Sequence, residues 1–307
     1  DMLGWATETT LDVEYAHAVA PAANILLVET PVAETEGVTG FPEIVQAENY
    51  VINHNLADVI TQSFGATENT FPSTQSLLDL RSAYKNAERH GVTVLASSGD
   101  TGATNFILDG SDVYPFPVNS WPSSDPLVTS IGGTQLNLDA AGNKISPDVT
   151  WNDGFGATGG GLSQVFSRPA FQFGVRSVVG AARGTPDISM SAAVDGGAIF
   201  YYSFQPGRVG WHIVGGTSEA SPLFSGIVAL TAQVAHQKLG DINAALYTLN
   251  AFHSRGIVDV TSGDNSFAGV TGYPALKGYD LSTGVGTVDA ARFVPALALA
   301  SLFEPGW

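Results

Sequence analysis

The chain predicts an α/β fold, a mainly parallel β-sheet with helices on both faces. Short apolar runs rich in β-branched residues alternate with longer amphipathic stretches, which is the βαβ pattern. No internal repeat or low-complexity linker interrupts that alternation, so 307 residues read as one domain spanning 1–307. Right-handed crossovers between parallel strands then follow by default.

Each element has a local reason. In ATETTLDVEYAHAVAP, residues 6–21, Glu8, Asp12, Tyr15 and Val19 fall on one helical face. An apolar run at 24–29 predicts a strand, an amphipathic stretch at 43–54 a helix, and 57–64 a second strand. A helix over 74–90 closes at His90-Gly91 and leads into the strand expected at 92–97, with another at 127–132. The Pro-containing segment 109–126 and the Gly-rich segment 154–161 are loops placed near a cleft.

The most informative string is GGTSEASPLFSGIVAL, residues 215–230. Gly215 and Gly216 allow close approach of a substrate main chain, and Thr217 and Ser218 suit a helix start. Pro222 is expected in the first turn, and Leu223, Ile227, Val228 and Leu230 form a buried stripe. The amides at such a start favour developing negative charge, so Ser218 is a candidate nucleophile. Read locally, the same string also describes a Gly-rich turn before a capped core helix.

A nucleophilic serine needs a base. None of His17, His54, His90, His212, His236 and His253 has a suitable local context. Glu8 and Asp12 are the better candidates, because burial and mutual repulsion hold a proton on a carboxylate pair and raise its titration. On an open helix start the same two are merely solvated. Asp100, in SSGDTGAT just past the strand at 92–97, stands at the sheet edge where ligands bind in open α/β folds. Protonated, it donates a hydrogen bond to an oxyanion; otherwise it is an ordinary turn aspartate.

With 12 Lys plus Arg against 29 Asp plus Glu, the net charge of −17 argues against nucleic acid and anionic membrane surfaces as partners. Scarce basic residues limit self-repulsion when carboxylates are protonated, which suits acidic conditions. Zero cysteines exclude disulfides, thiol catalysis and thiolate metal sites. The apolar stretches at 222–235 and 290–303 are too short or interrupted to span a bilayer, and the start does not read as a signal peptide.

The order E-x-x-x-D, SGD and GTS resembles the sedolisin family of serine-carboxyl peptidases, acid-acting relatives of the subtilisins. LDVEYAHAVAPAANILLVE, QSFGATE, VTSIGGTQL, GGGLSQVFSRPAFQ and GTPDIS extend the resemblance through most of the chain. It implies a subtilisin-like fold, with Ser218 as nucleophile, Glu8 as general base, Asp12 as its supporting carboxylate and Asp100 at the oxyanion. It further implies a calcium site in GIVDVTSGDN and LKGYDLSTGVG, with carboxylates from Asp259 and Asp280 and carbonyls from Val260, Leu276 and Gly278. Leu276 departs from the glycine often found there, and Lys277 adds a positive charge. Gly159, Gly160, Gly161 and Gly216 are expected to bind substrate main chain, the first three as an extended edge open to strand addition. Family catalytic domains usually have several tens of residues before the glutamate helix, so the domain reads as lacking its usual amino-terminal portion. Pro115 stands where some relatives carry an acidic pocket residue before Phe116-Pro117, so no preference for basic substrate side chains is expected.

The expected protein is therefore a secreted, extracellular, calcium-stabilised acid endopeptidase acting on proteins or peptides, with an inhibitory pro-segment in its precursor. The alternatives are a tripeptidyl-type exopeptidase on the same fold, or an inactive or processed fragment serving as a binding protein. A neutral subtilisin with a histidine base has no H-G-T-like segment to support it.

Overall fold

The computed structural model describes residues 2–302. Along the chain run helix α1 (Met2–Val19), helix α2 (Phe41–Asn53) and strand β1 (Val59–Gln62). A short helix at Thr74–Leu78 and a 3-10 turn lead into α3 (Ser82–His90), followed by β2 (Thr93–Ser97), β3 (Thr129–Gln135) and β4 (Val149–Thr150). Next come β5 (Gly161–Ser167), β6 (Ala182–Thr185), β7 (Ile188–Ser191) and a hairpin of β8 (Ala198–Tyr202) and β9 (Gly210–Val214). Helices α4 (Thr217–Ala235), α5 (Asn243–Ala251) and α6 (Ala290–Ser301) complete the elements used below.

The central sheet runs β1-β2-β3-β7 with every pair parallel, and β4 adds a short antiparallel pairing to β3. Strand β2 shows why the fold has two cores. Successive side chains point to opposite faces. Val94 and Ala96 therefore enter a cluster with Phe41, Ile52, Tyr84 and Trp121, while Leu95 enters one with Phe224, Ile227, Leu246 and Phe293. Helices α2 and α3 cover the first face, and α4, α5 and α6 the second. This is the layered architecture the sequence predicts.

The strand expected at 24–29 does not form. Ile25, Leu26, Leu27 and Val28 are exposed, and no described strand lies against them. An extended segment without a ladder partner has nowhere to place its peptide groups, so apolar composition alone does not make it a strand. Pro222 is also displaced from expectation, lying in the second turn of α4. It has no N–H for the carbonyl of Ser218, four residues earlier, so the intrahelical bond at that point is missing.

Helix α1 rests on α4 through Gly226. A Cβ at that position would lie 2.6 Å from the Val19 Cβ and 3.2 Å from the Ala16 carbonyl oxygen. Glycine costs about 1 kcal/mol in a helix interior, so its presence here reflects the close crossing. Replacing it by valine forces the helices apart. Gly226→Val is expected to destabilise the fold by about 1–3 kcal/mol, read as a lower urea midpoint, whereas an unchanged midpoint would show that the crossing is not tight.

Candidate active site

Three segments meet at the amino end of α4. Gly216 precedes the helix with φ of 123°, a conformation that favours glycine. A Cβ there would lie 2.8 Å from Asp100 Oδ2, so any side chain would press on that carboxyl. Its amide donates to the Ala192 carbonyl at 2.6 Å, tying the turn to the end of β7.

Thr217 joins the helix to the turn after β2. Its backbone amide and its hydroxyl each donate to Asp100 Oδ1 at 2.8 Å, while the hydroxyl accepts from the Gly99 amide at 3.0 Å. Because Oδ1 accepts both bonds, a proton on Asp100 belongs on Oδ2, the oxygen under Gly216. Asp100 is open to solvent along the cleft, yet protein surrounds its carboxyl. Burial raises its titration against the opposing effect of the two Thr217 bonds.

From the other side, α1 brings Glu8 and Asp12. Glu8 lies on the side of the Ser218 and Ser63 hydroxyls, which oppose the rise in its titration, while its Oε1 is buried with no hydrogen-bond partner among the described residues. Burial pushes its carboxyl well above the usual range, the charge of Asp12 adds to this, and Asp100 adds further. Asp12 is raised by burial too, and it accepts a 2.7 Å bond from the Ser63 hydroxyl. Two carboxyls so close titrate as a pair and hold a proton more tightly than either would in water. No histidine joins them; His54, His90 and His212 are bonded to the carbonyls of Tyr50, Asn86 and Arg208.

Two functional contacts were not read from the sequence. Ser63, in QSFGATE just after β1, orients the carboxylate pair, and Thr217 orients Asp100. A hydroxyl beside a Gly-rich turn was the available signal, but its partner is distant in sequence. Glu219 was also missed as an anchor. It is buried and bonded to the Ser191 hydroxyl and the Ala198 amide, and desolvation raises it to about 7.

The glycine run 159–161 is packed closely by neighbouring backbone. All three residues are buried, and a Cβ on Gly159 or Gly160 would collide with the Ser98 or Leu281 carbonyl. Their own carbonyls accept bonds from Ser98, Asn265 and Asn119. The run is glycine because backbone passes against backbone, and the strand that begins at Gly161 has a ladder partner among the described residues on one side only, Ala182–Thr185.

Asp259 and Asp280 flank one turn. The Gly278 amide donates to Asp259 Oδ2 and the Leu276 amide to Asp280 Oδ2, both at 2.9 Å. The carbonyls of Val260, Leu276 and Gly278 accept no hydrogen bond among the described residues. Two carboxylates and unpaired carbonyls are hard oxygen donors of the kind calcium takes, with Asp280 held in place by the amides and hydroxyls of Ser282 and Thr283, which a bound ion would have to share. No cluster of three acidic, histidine or cysteine ligands occurs among the described residues, so carbonyls must supply the remainder.

With this geometry, the comparisons decide the family. The Subtilase family profile matches residues 4–266. The chain belongs to the subtilase family. Within it, the chain falls in the sedolisin branch: the solved structure of Pseudomonas sedolisin, complexed with pseudo-iodotyrostatin, superposes with a TM-score of 0.81 at 31% identity. That match covers 98% of this chain and 79% of the other. Kumamolisin from Bacillus sp. (strain MN-32) is 32% identical over 94% of this chain and 50% of its own length. Sedolisin from Pseudomonas sp. (strain 101) is 34% identical over 84% and 43% respectively. The chain thus spans about half the length of the curated relatives it matches. A lanthipeptide protease, with a TM-score of 0.56 at 16% identity, shares the fold alone. This subtilase is subtilisin-like in architecture, as the sequence predicts. Among its described residues no helix is long and apolar enough to cross a membrane.

The burial of acidic groups extends beyond the site. Desolvation lifts Glu48 to about 8, with neither of its oxygens hydrogen-bonded, and lifts Glu34, Glu219 and Asp241 to about 7. In the unfolded chain such groups ionise near about 4. Between those values the folded protein holds more protons, so stability is full below about pH 4 and is lost as pH rises through 7 to 8. The melting temperature is expected to be highest in acid and to fall steadily toward pH 8, less steeply in Glu48→Gln. A melting temperature that rises over that interval would contradict these burials.

Proposed function

We propose that this chain is the peptidase domain of a secreted, acid-acting serine-carboxyl endopeptidase. The observation that carries the reading is the buried, unpartnered carboxyl oxygen of Glu8 beside Ser218 at the start of α4, with Asp12 next to it. Membership in the sedolisin branch supports it, as does the accumulation of buried carboxyls that favours the folded state in acid.

In this mechanism Ser218 Oγ attacks the scissile carbonyl carbon while its proton passes to Glu8. Asp12, held by Ser63, orients Glu8 and stabilises the proton it gains. Negative charge on the carbonyl oxygen is met by Asp100 Oδ2–H, and the C–N bond breaks as Glu8 returns the proton to the leaving amine. Water then attacks the acyl-enzyme with Glu8 again as base, releasing the acid product and restoring Ser218. Substrates are polypeptides, and a pro-segment in the precursor would restrain the site until release. Calcium, held by Asp259, Asp280 and the carbonyls of Val260, Leu276 and Gly278, would rigidify the turn between the two carboxylates. Tripeptidyl-peptidases of Aspergillus fumigatus also match the chain, so removal of amino-terminal tripeptides is the competing activity.

The proton requirements oppose each other. Glu8 must be ionised to accept a proton, whereas Asp100 must be protonated to donate one, which gives a bell-shaped pH profile. Ser218→Ala is expected to abolish cleavage of an unfolded protein. Asp100→Asn keeps a neutral donor at every pH, so its alkaline limb should move to higher pH. Full activity in Ser218→Ala would reject the nucleophile; an unmoved alkaline limb would reject Asp100.

A further inference from the structure

The hairpin β8–β9 is apolar on both faces, which is unusual for a surface hairpin. Its inner side chains, Phe200, Tyr202 and His212, pack on one another. The outer face is apolar as well. Ile199 is 57% exposed, Tyr201 43%, Trp211 70% and Ile213 62%. The register sets Ile199 opposite Ile213 and Tyr201 opposite Trp211, whose rings meet edge to face at 5.3 Å between centroids. Four large apolar side chains thus form two adjacent cross-strand pairs facing solvent.

The hairpin is bound to the catalytic elements at both of its strands. The Tyr15 hydroxyl, on the same face of α1 as Glu8, accepts from the Ile199 amide at 2.7 Å and donates to its carbonyl at 3.3 Å. Glu219, next to Ser218, accepts from the Ala198 amide. Strand β9 then passes directly into Gly215, Gly216 and Ser218. The hairpin is therefore held by the two elements that bear the proposed base and nucleophile.

We propose that the outer face of this hairpin is an exosite for the polypeptide substrate, taking an extended segment with apolar or aromatic side chains at alternate positions. This rests on the endopeptidase reading above. Outward residues along each strand recur every second position, about 6.5–7 Å apart, which is also the spacing of same-side side chains in an extended peptide. The four side chains expose roughly 500 Å², within the range of functional patches on monomers. A stable dimer needs about 800 Å² from each partner, so a second copy of this chain is a poorer occupant. None of the four positions carries a charge, which fits an unfolded, uncharged stretch rather than a charged ligand. The exosite adds binding remote from the scissile bond and so discriminates unfolded proteins from short peptides.

The test pairs Trp211→Ser/Ile213→Thr with wild type on two substrates: casein, and a short fluorogenic peptide covering only the residues beside the cleaved bond. KM for casein is expected to rise about tenfold, with the short peptide unchanged and the melting temperature retained. Equal losses on both substrates, or no loss on either, would overturn the exosite. If wild type cleaves neither substrate, the peptidase reading fails separately, and the exosite is judged by casein binding to Ser218→Ala protein. Binding that weakens when the hairpin changes are added supports it, and unaltered or absent binding overturns it. Sedimentation velocity supplies the remaining outcome: a wild-type dimer that the double variant dissociates would assign the face to a second copy instead.

Discussion

The site depends on how closely α1 lies on α4. Ser218 is fixed by the turn before its own helix, but Glu8 and Asp12 arrive on a helix that only packing holds in place. Of α1, Leu11 alone is fully buried, so the helix has little core of its own. Its position comes from Val19 and Ala16 against Gly226, from Tyr15 on the hairpin and from Ser63 on Asp12. Remove the close crossing and the carboxyl proposed to take the serine proton moves away from it.

The second constraint is electrostatic. A carboxylate pair enclosed by protein is a poor ion, and a third carboxyl, Asp100, faces the same cleft. All three cannot be ionised together without severe repulsion. In the proposed mechanism the cluster carries few negative charges, one on the base and none on the oxyanion donor. The same physics governs Glu48 and Asp241 far from the cleft: burial alone raises Glu48, and at Asp241 it outweighs the Asn243 amide and the charge of Arg183. Acid favours both the fold and a protonated Asp100, whereas the same burial makes Glu8 harder to ionise there, so the base and these two pull in opposite directions.

Much of this was legible in the sequence because it was written in local periodicity. Strands at 59–62, 93–97 and 129–135 lie within or beside the apolar runs, and the four-residue spacing of Glu8 and Asp12 put both on one face. The run at 24–29 misled because β-branched composition says nothing about whether a neighbouring strand exists. Gly159 to Gly161 were only partly legible, because glycine serves both an open edge and a tight backbone crossing, and the crossing contacts come from Ser98 and Leu281, far away in sequence. Ser63, Thr217 and Glu219 were illegible for one reason: each matters through a partner far away in sequence.

The central claim is that Glu8 takes the Ser218 proton, and acylation is the step that isolates it. Single-turnover formation of the acyl-enzyme from an activated ester should slow by at least ~10² in Glu8→Gln, which keeps the shape but cannot accept the proton. The loss should be greatest at the pH where the wild-type base is ionised. Acylation at the wild-type rate in a folded Glu8→Gln protein would contradict the account.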